Sequence, residues 1–180
     1  MNACVDEMKT RARLGLNALN MGDMALLDRA QAVSGLRLPA PAQWKLRHTL
    51  TLVARSVGFR TWEQARCALG GYAERGDDMG SFWHAPRCNS LLNHWFASYA
   101  SASSLQRSGA GLTLLPYRRQ FMVVDRYYLR ELGVDVSAAS NSDSMDLVAL
   151  YGSATWLAMC CSRLRAPEQT WTVAPHPVGG

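Results

Sequence analysis

Apolar positions recur every three to four residues over 5–20 (VDEMKTRARLGLNALN), where Val5, Met8, Ala12, Leu16 and Leu19 form one stripe and Asn20 and Gly22 supply a stop. A second helix is predicted from Asp23 as N-cap to about Ser34, closed by Gly35, with Met24, Leu27 and Ala30 as its apolar side. The prolines of residues 36–41 (LRLPAP) make a stiff connector, and Pro41 suits the first turn of a third helix over 42–57. Gly58 ends it. Residues 61–64 (TWEQ) have the form of a capping box, opening a fourth helix that runs to Leu69 before Gly70 and Gly71. Residues 73–80 (AERGDDMG) are polar and contain two glycines, a seam between a helical unit over 1–72 and a remainder over 81–180.

In the remainder, residues 81–89 read as a loop, and Asn89 or Ser90 caps a predicted helix to about Gln106 that buries Leu92, Trp95, Phe96 and Tyr99. Residues 112–124 (LTLLPYRRQFMVV) alternate as one strand, with Pro116 pointing to an edge position. Its expected partner is 169–174 (QTWTVA). Asp125 caps a short helix to Leu132, stopped by Gly133, and an apolar helix is predicted over 144–165. The expected fold class is therefore mainly α with a minor β element: an N-terminal four-helix unit packed on a mixed, two-strand remainder, as one globule.

The apolar fraction of 48 % and charged fraction of 18 % suit a folded core and exclude a disordered chain. No secretory h-region opens the sequence, and the apolar, uncharged stretch 147–161 falls short of the ~20 residues of a membrane span. The expectation is a cytosolic protein with no membrane partner. Five cysteines without framework spacing are expected as free thiols.

Charge changes the picture more. The formal net charge is +5, and all of it lies in residues 1–75, where eleven Lys and Arg stand against six acids; residues 76–180 hold eight of each. Between Arg37 and Arg66 six basic residues accompany one acid, Glu63. A basic cluster on one compact unit is the footprint of nucleic-acid binding, because neutralising phosphates releases counterions; the alternative is a solvated basic face.

Within that cluster, residues 49–66 (TLTLVARSVGFRTWEQAR) resemble the helix-turn-helix of arabinose-regulator-type transcription factors through Val53, Ala54, Gly58, Phe59 and Arg66. The stretch is also similar, more fully, to a short helical segment, L-V-A-x3-G-F-x2-W, of bacterial glyoxalase-related proteins: Leu52, Val53, Ala54, Gly58, Phe59 and Trp62 match over about 45–69. Downstream stretches resemble an uncharacterised bacterial protein family. The regulator resemblance implies a recognition helix over 61–69, with Arg55, Arg60, Gln64 and Arg66 as nucleic-acid contacts. The glyoxalase-type resemblance implies no catalytic role, and no glyoxalase metal ligands are recognisable.

His84, Cys88 and His94 (H-x3-C-x5-H) combine imidazole and thiolate, which zinc accepts, and a Cys–His pair is also the minimum for nucleophilic catalysis. No cofactor is otherwise expected. Tyr117, Arg118, Arg119 and Gln120 interleave aromatic and guanidinium groups as single-strand binders do, but strict strand alternation would put Tyr117 and Phe121 in the core and Arg118 in solvent. The sequence therefore favours a bacterial cytosolic binding protein over an enzyme, with a helix-turn-helix-like unit that contacts nucleic acid or a partner protein. A small metal- or thiol-dependent enzyme centred on His84, Cys88 and His94, and a structural adaptor, are the alternatives.

Overall fold

The computed structural model describes residues 2–34, 40, 43–134 and 144–166. Its elements are α1 (Ala3–Asn20), α2 (Met24–Ser34), α3 (Leu46–Ser56), α4 (Trp62–Gly70), a 3-10 turn (Pro86–Cys88), β1 (Asn93–Phe96), α5 (Tyr99–Ser108), β2 (Thr113–Tyr117), β3 (Gln120–Val124), α6 (Arg126–Glu131), β4 (Met145–Asp146) and α7 (Ala154–Arg165). The fold is α+β, predominantly helical with one small mixed sheet. Among the described residues no helix is long and apolar enough to cross a membrane.

The expected helical stripe of α1 is buried: Val5, Met8, Ala12 and Leu19 face α3, α4 and α7. Arg11, on the same helix, is buried too; its Nη2 donates to Leu164 O at 2.7 Å and its Nε to Glu7 at 2.8 Å. A cation on the last carbonyls of α7 complements that helix's dipole and ties α1 to α7. One buried apolar cluster runs from Cys4 to Leu164, joining Val53, Phe59 and Leu69 of the N-terminal helices to Phe82, Trp83, Met122 and Trp156.

Four expectations are corrected. The helix read from Asn89 or Ser90 to Gln106 is β1 followed by α5: Asn93–Phe96 pairs antiparallel with β3, His94 opposite Val123 and Trp95 opposite Met122. Leu92, Trp95, Phe96 and Tyr99 fit a helical stripe, yet aromatic residues equally fit a half-buried strand, and the non-local pairing with β3 decides. The single strand over 112–124 is a hairpin, β2 and β3 joined by the two-residue turn Arg118–Arg119. The helix over 144–165 begins only at Ala154, capped by Ser153, because Met145–Asp146 pairs parallel with β2. The third helix starts at Leu46 rather than Ala42. The expected strand 169–174 and Pro41 lie outside the described residues.

The sheet order is β1-β3-β2-β4, four strands where two were expected. Pro116 sits in β2 beyond the short β4, which pairs only Thr113 and Leu114, so its missing N–H interrupts no ladder bond on that side. One sheet face, with Leu114 and Val123, packs on Ala102 of α5; Leu115 and Met122, on the other, enter the main core. Arg163 of α7, fully buried, donates to Leu132 O and to Phe82 O, satisfying carbonyls beneath this layer.

Candidate functional site: a groove between the α3–α4 turn and the β2–β3 hairpin

The α3–α4 pair forms as the sequence predicts. Gly58 takes φ +94°, Phe59 folds under the turn with 3 % exposure, and Phe59 N–H donates back to Ala54 O at 2.9 Å. Thr61 caps α4 by accepting from Gln64 N at 3.1 Å. Gln64 reaches one residue further back than a capping box requires: its Oε1 accepts from Arg60 N at 2.8 Å, and its Nε2 donates to Asp78 O at 2.8 Å.

A chain of hydrogen bonds carries this turn across to the sheet. Ser81 N–H donates to Gly58 O at 2.8 Å, Arg118 N–H to Gly80 O at 2.7 Å, and Met79 N–H to Arg118 O at 2.8 Å. Arg118 adopts φ +51° in the hairpin turn, the one non-glycine residue with positive φ among those described. Glycine or asparagine is the usual choice there, so the backbone conformation of Arg118 costs energy that the two bonds to residues 79 and 80 offset.

Between these segments runs a groove of about 890 Å³, lined by Arg60, Glu63 and Gln64 of the α3–α4 side, by Arg118, Arg119 and Gln120 of the hairpin, and by Asp77 and Asp78. It continues past Gly58 to Arg55 in a further recess of about 390 Å³. Four guanidinium groups (Arg55, Arg60, Arg118, Arg119) thus meet three carboxylates (Glu63, Asp77, Asp78). Asp78 Oδ2 accepts from Arg60 Nη2 at 3.2 Å, while its Oδ1 caps Gly80 N–H. Glu63 is paired with Arg66, and the guanidinium beside it lowers its pKa. Arg118 lies over the Tyr117 ring at 5.3 Å.

The four residues that sequence reasoning assigned to nucleic acid divide on this geometry. Arg55 and Arg60 line the groove; Arg55 Nε also donates to Arg60 O at 3.1 Å. Gln64 is committed to the scaffold through both ends of its amide. Arg66 is held one turn along α4 against Glu63 and does not line the groove. Within α4 the most open side chain is Glu63, an acid, and the one basic residue of the helix, Arg66, is paired with it. Arg118 is exposed, as strict alternation expects, but it and Arg119 form a turn and not strand positions, because a two-residue Arg–Arg turn carries no Gly or Asn signal.

His84, Cys88 and His94 are not brought together. His84 is half-buried, its Nδ1 at 2.6 Å from Tyr128 Oη and its ring against Trp95 and Tyr117 on the Met122 face of the sheet. His94 precedes Trp95 on β1, so strand alternation turns it to the opposite face, exposed. Cys88 is buried, and burial pushes its thiol pKa up, opposite to the shift that activates a nucleophile. Burial likewise lowers the His84 pKa, against a hydrogen bond with Asn89 that raises it. Among the described residues no three His, Cys, Asp or Glu side chains group as a metal site.

Compared with protein-family models, curated proteins and solved structures, the chain matches none.

Proposed function

We propose that this chain is a bacterial cytosolic binding protein that holds nucleic acid in the groove between the α3–α4 turn and the β2–β3 hairpin. The observation that carries the reading is the conformation of Arg118: a positive-φ arginine pinned by two backbone hydrogen bonds, which fixes Arg118 and Arg119 across the groove from Arg55 and Arg60. Backbone strain held in place by its surroundings is characteristic of binding and switch sites. The groove carboxylates are largely internal partners: Asp78 takes Arg60 and Gly80, and Glu63 takes Arg66. Arg118 and Arg119 of the hairpin turn enter none of the described ion pairs, and Arg60 meets a phosphate only by giving up Asp78. The reading moves the contacts from α4 to the groove, with Arg55, Arg60, Arg118 and Arg119 meeting phosphates, while Gln64 and Arg66 position the wall.

Asp77, without a basic side-chain partner among the described ion pairs, favours a second reading, a mixed-charge polypeptide laid in the same groove. Fluorescence anisotropy separates the two. A labelled random duplex and a labelled single strand are titrated with the protein at two salt concentrations, beside the Arg118→Ala/Arg119→Ala variant. Salt-sensitive binding that the variant weakens tenfold or more is expected, on the order of 1 kcal/mol per lost charged contact. Absence of binding at low salt, or equal binding by the variant, overturns the nucleic-acid reading.

A further inference from the structure

The five cysteines are free thiols, as expected, and two of them meet. Cys4 lies in the first turn of α1 and Cys161 near the end of α7, 157 positions apart, with their Sγ atoms at 2.6 Å. Cys4 Sγ also reaches Leu157 O at 3.4 Å, so it sits over the α7 turn between Leu157 and Cys161. Sulfur atoms that merely pack lie further apart than this, and the separation approaches that of a disulfide. Cys160, the chain neighbour, is fully buried but makes no such contact; Cys67 and Cys88 lie elsewhere, on α4 and in the 3-10 turn.

We propose that Cys4 and Cys161 form an oxidative modification site, a thiol pair that a small-molecule disulfide such as oxidised glutathione converts into an intramolecular cross-link between the two ends of the fold. Cys161 is partly open to solvent and Cys4 is not, so the reagent enters at Cys161. The Cys161 thiolate attacks one sulfur of the reagent, forming a mixed disulfide and releasing the first small thiolate. The Cys4 thiolate then attacks the Cys161 sulfur, the mixed disulfide breaks, and the second small thiolate leaves. Two protein thiols are oxidised, one reagent disulfide is reduced to two thiols, and the leaving thiolates take up the two protons. Burial and the Cys161 sulfur raise the Cys4 pKa, and the α1 N-terminus and the nearby Arg165 guanidinium offset this only in part, so the second step rests on the closeness of the two sulfurs and proceeds faster as pH rises. The expelled glutathione needs only the open side of Cys161.

The test treats the full-length protein with oxidised glutathione, blocks remaining thiols under denaturing conditions, and measures intact mass and tryptic peptides without reduction. The expected product lacks two hydrogen atoms, blocks three of its five cysteines, and yields one cross-linked peptide pair containing Cys4 and Cys161. Closing so long a loop raises the melting temperature by on the order of 10 °C, an increase that reductant reverses and Cys161→Ser abolishes. Cys67→Ser keeps the cross-link and serves as the control for general thiol loss. Five blockable thiols after treatment, a glutathione adduct that persists on Cys161, or a bridge between any other pair overturns the proposal.

Discussion

Replacing Gly58 by alanine tests whether the α3–α4 turn is locked to the segment that carries it to the sheet. At φ +94° an added Cβ meets the Ser81 carbonyl carbon at 2.8 Å, Ser81 Oγ at 2.8 Å and Phe82 N at 2.9 Å. The hydroxyl can rotate away, but the two backbone atoms cannot move without disturbing Ser81 N–H on Gly58 O and the core beneath Phe82. The left-handed backbone costs alanine about 1.5 kcal/mol and the overpacking about 2 kcal/mol, while the stiffer unfolded chain returns about 0.7 kcal/mol. The expected loss is therefore about 3 kcal/mol. Gly22→Ala is the matched control: φ is +84° there, with nothing within 4 Å of the added Cβ, so only about 1 kcal/mol is lost. In urea, with a slope of about 2 kcal/mol/M for a chain of this size, the midpoints fall by about 1.5 M and about 0.5 M respectively. Equal midpoint shifts for the two variants would refute the claim that residues 81 and 82 press on the turn.

Three further outcomes follow from individual residues. Arg118→Gly relieves the positive-φ strain and leaves stability unchanged or raised by up to about 1 kcal/mol in urea, while nucleic-acid affinity falls; a clear loss of stability would mean that Arg118 is there for packing. Tyr151 Oη donates to the Cys67 or Ala68 carbonyl at the end of α4 and accepts from Ala73 N at 2.8 Å, so Tyr151→Phe costs about 1–2 kcal/mol by thermal melting. Burial raises the Tyr151 pKa, so its contribution is whole below pH ~10 and is lost as pH climbs above it; the variant has a shallower alkaline decline, and an unchanged one contradicts this. Burial lowers the His84 pKa, so the neutral ring stabilises the fold above pH ~6.5, and that stability is lost as pH falls; His84→Asn flattens the acid limb of a melting-temperature profile, and a profile identical to wild type contradicts the assignment.

The sequence was most legible where local signals agree. Gly58, Thr61 and Asp125 each combine the right residue type with a conformational need, and the turn and both caps form around them. It was least legible where pairing is non-local. Asn93–Phe96 carries aromatic spacing compatible with either element, and only β3, about thirty residues on, makes it a strand. Met145–Asp146 is too short for any period to reveal. At the candidate site, Arg55 and Arg60 were visible as charge, but the partners that commit Gln64 and Arg66 were not. Arg118 and Arg119 looked like strand positions because the turn they form is one that arginine rarely adopts.

The most direct test of the groove is an amide-resolved NMR titration of the protein with a short oligonucleotide at low salt. Shifts concentrated at Arg55, Arg60 and residues 117–120 are expected, with Gln64 and Asp78 following as their hydrogen bonds respond. Saturable binding whose shifts fall elsewhere, with residues 117–120 unmoved, would contradict it.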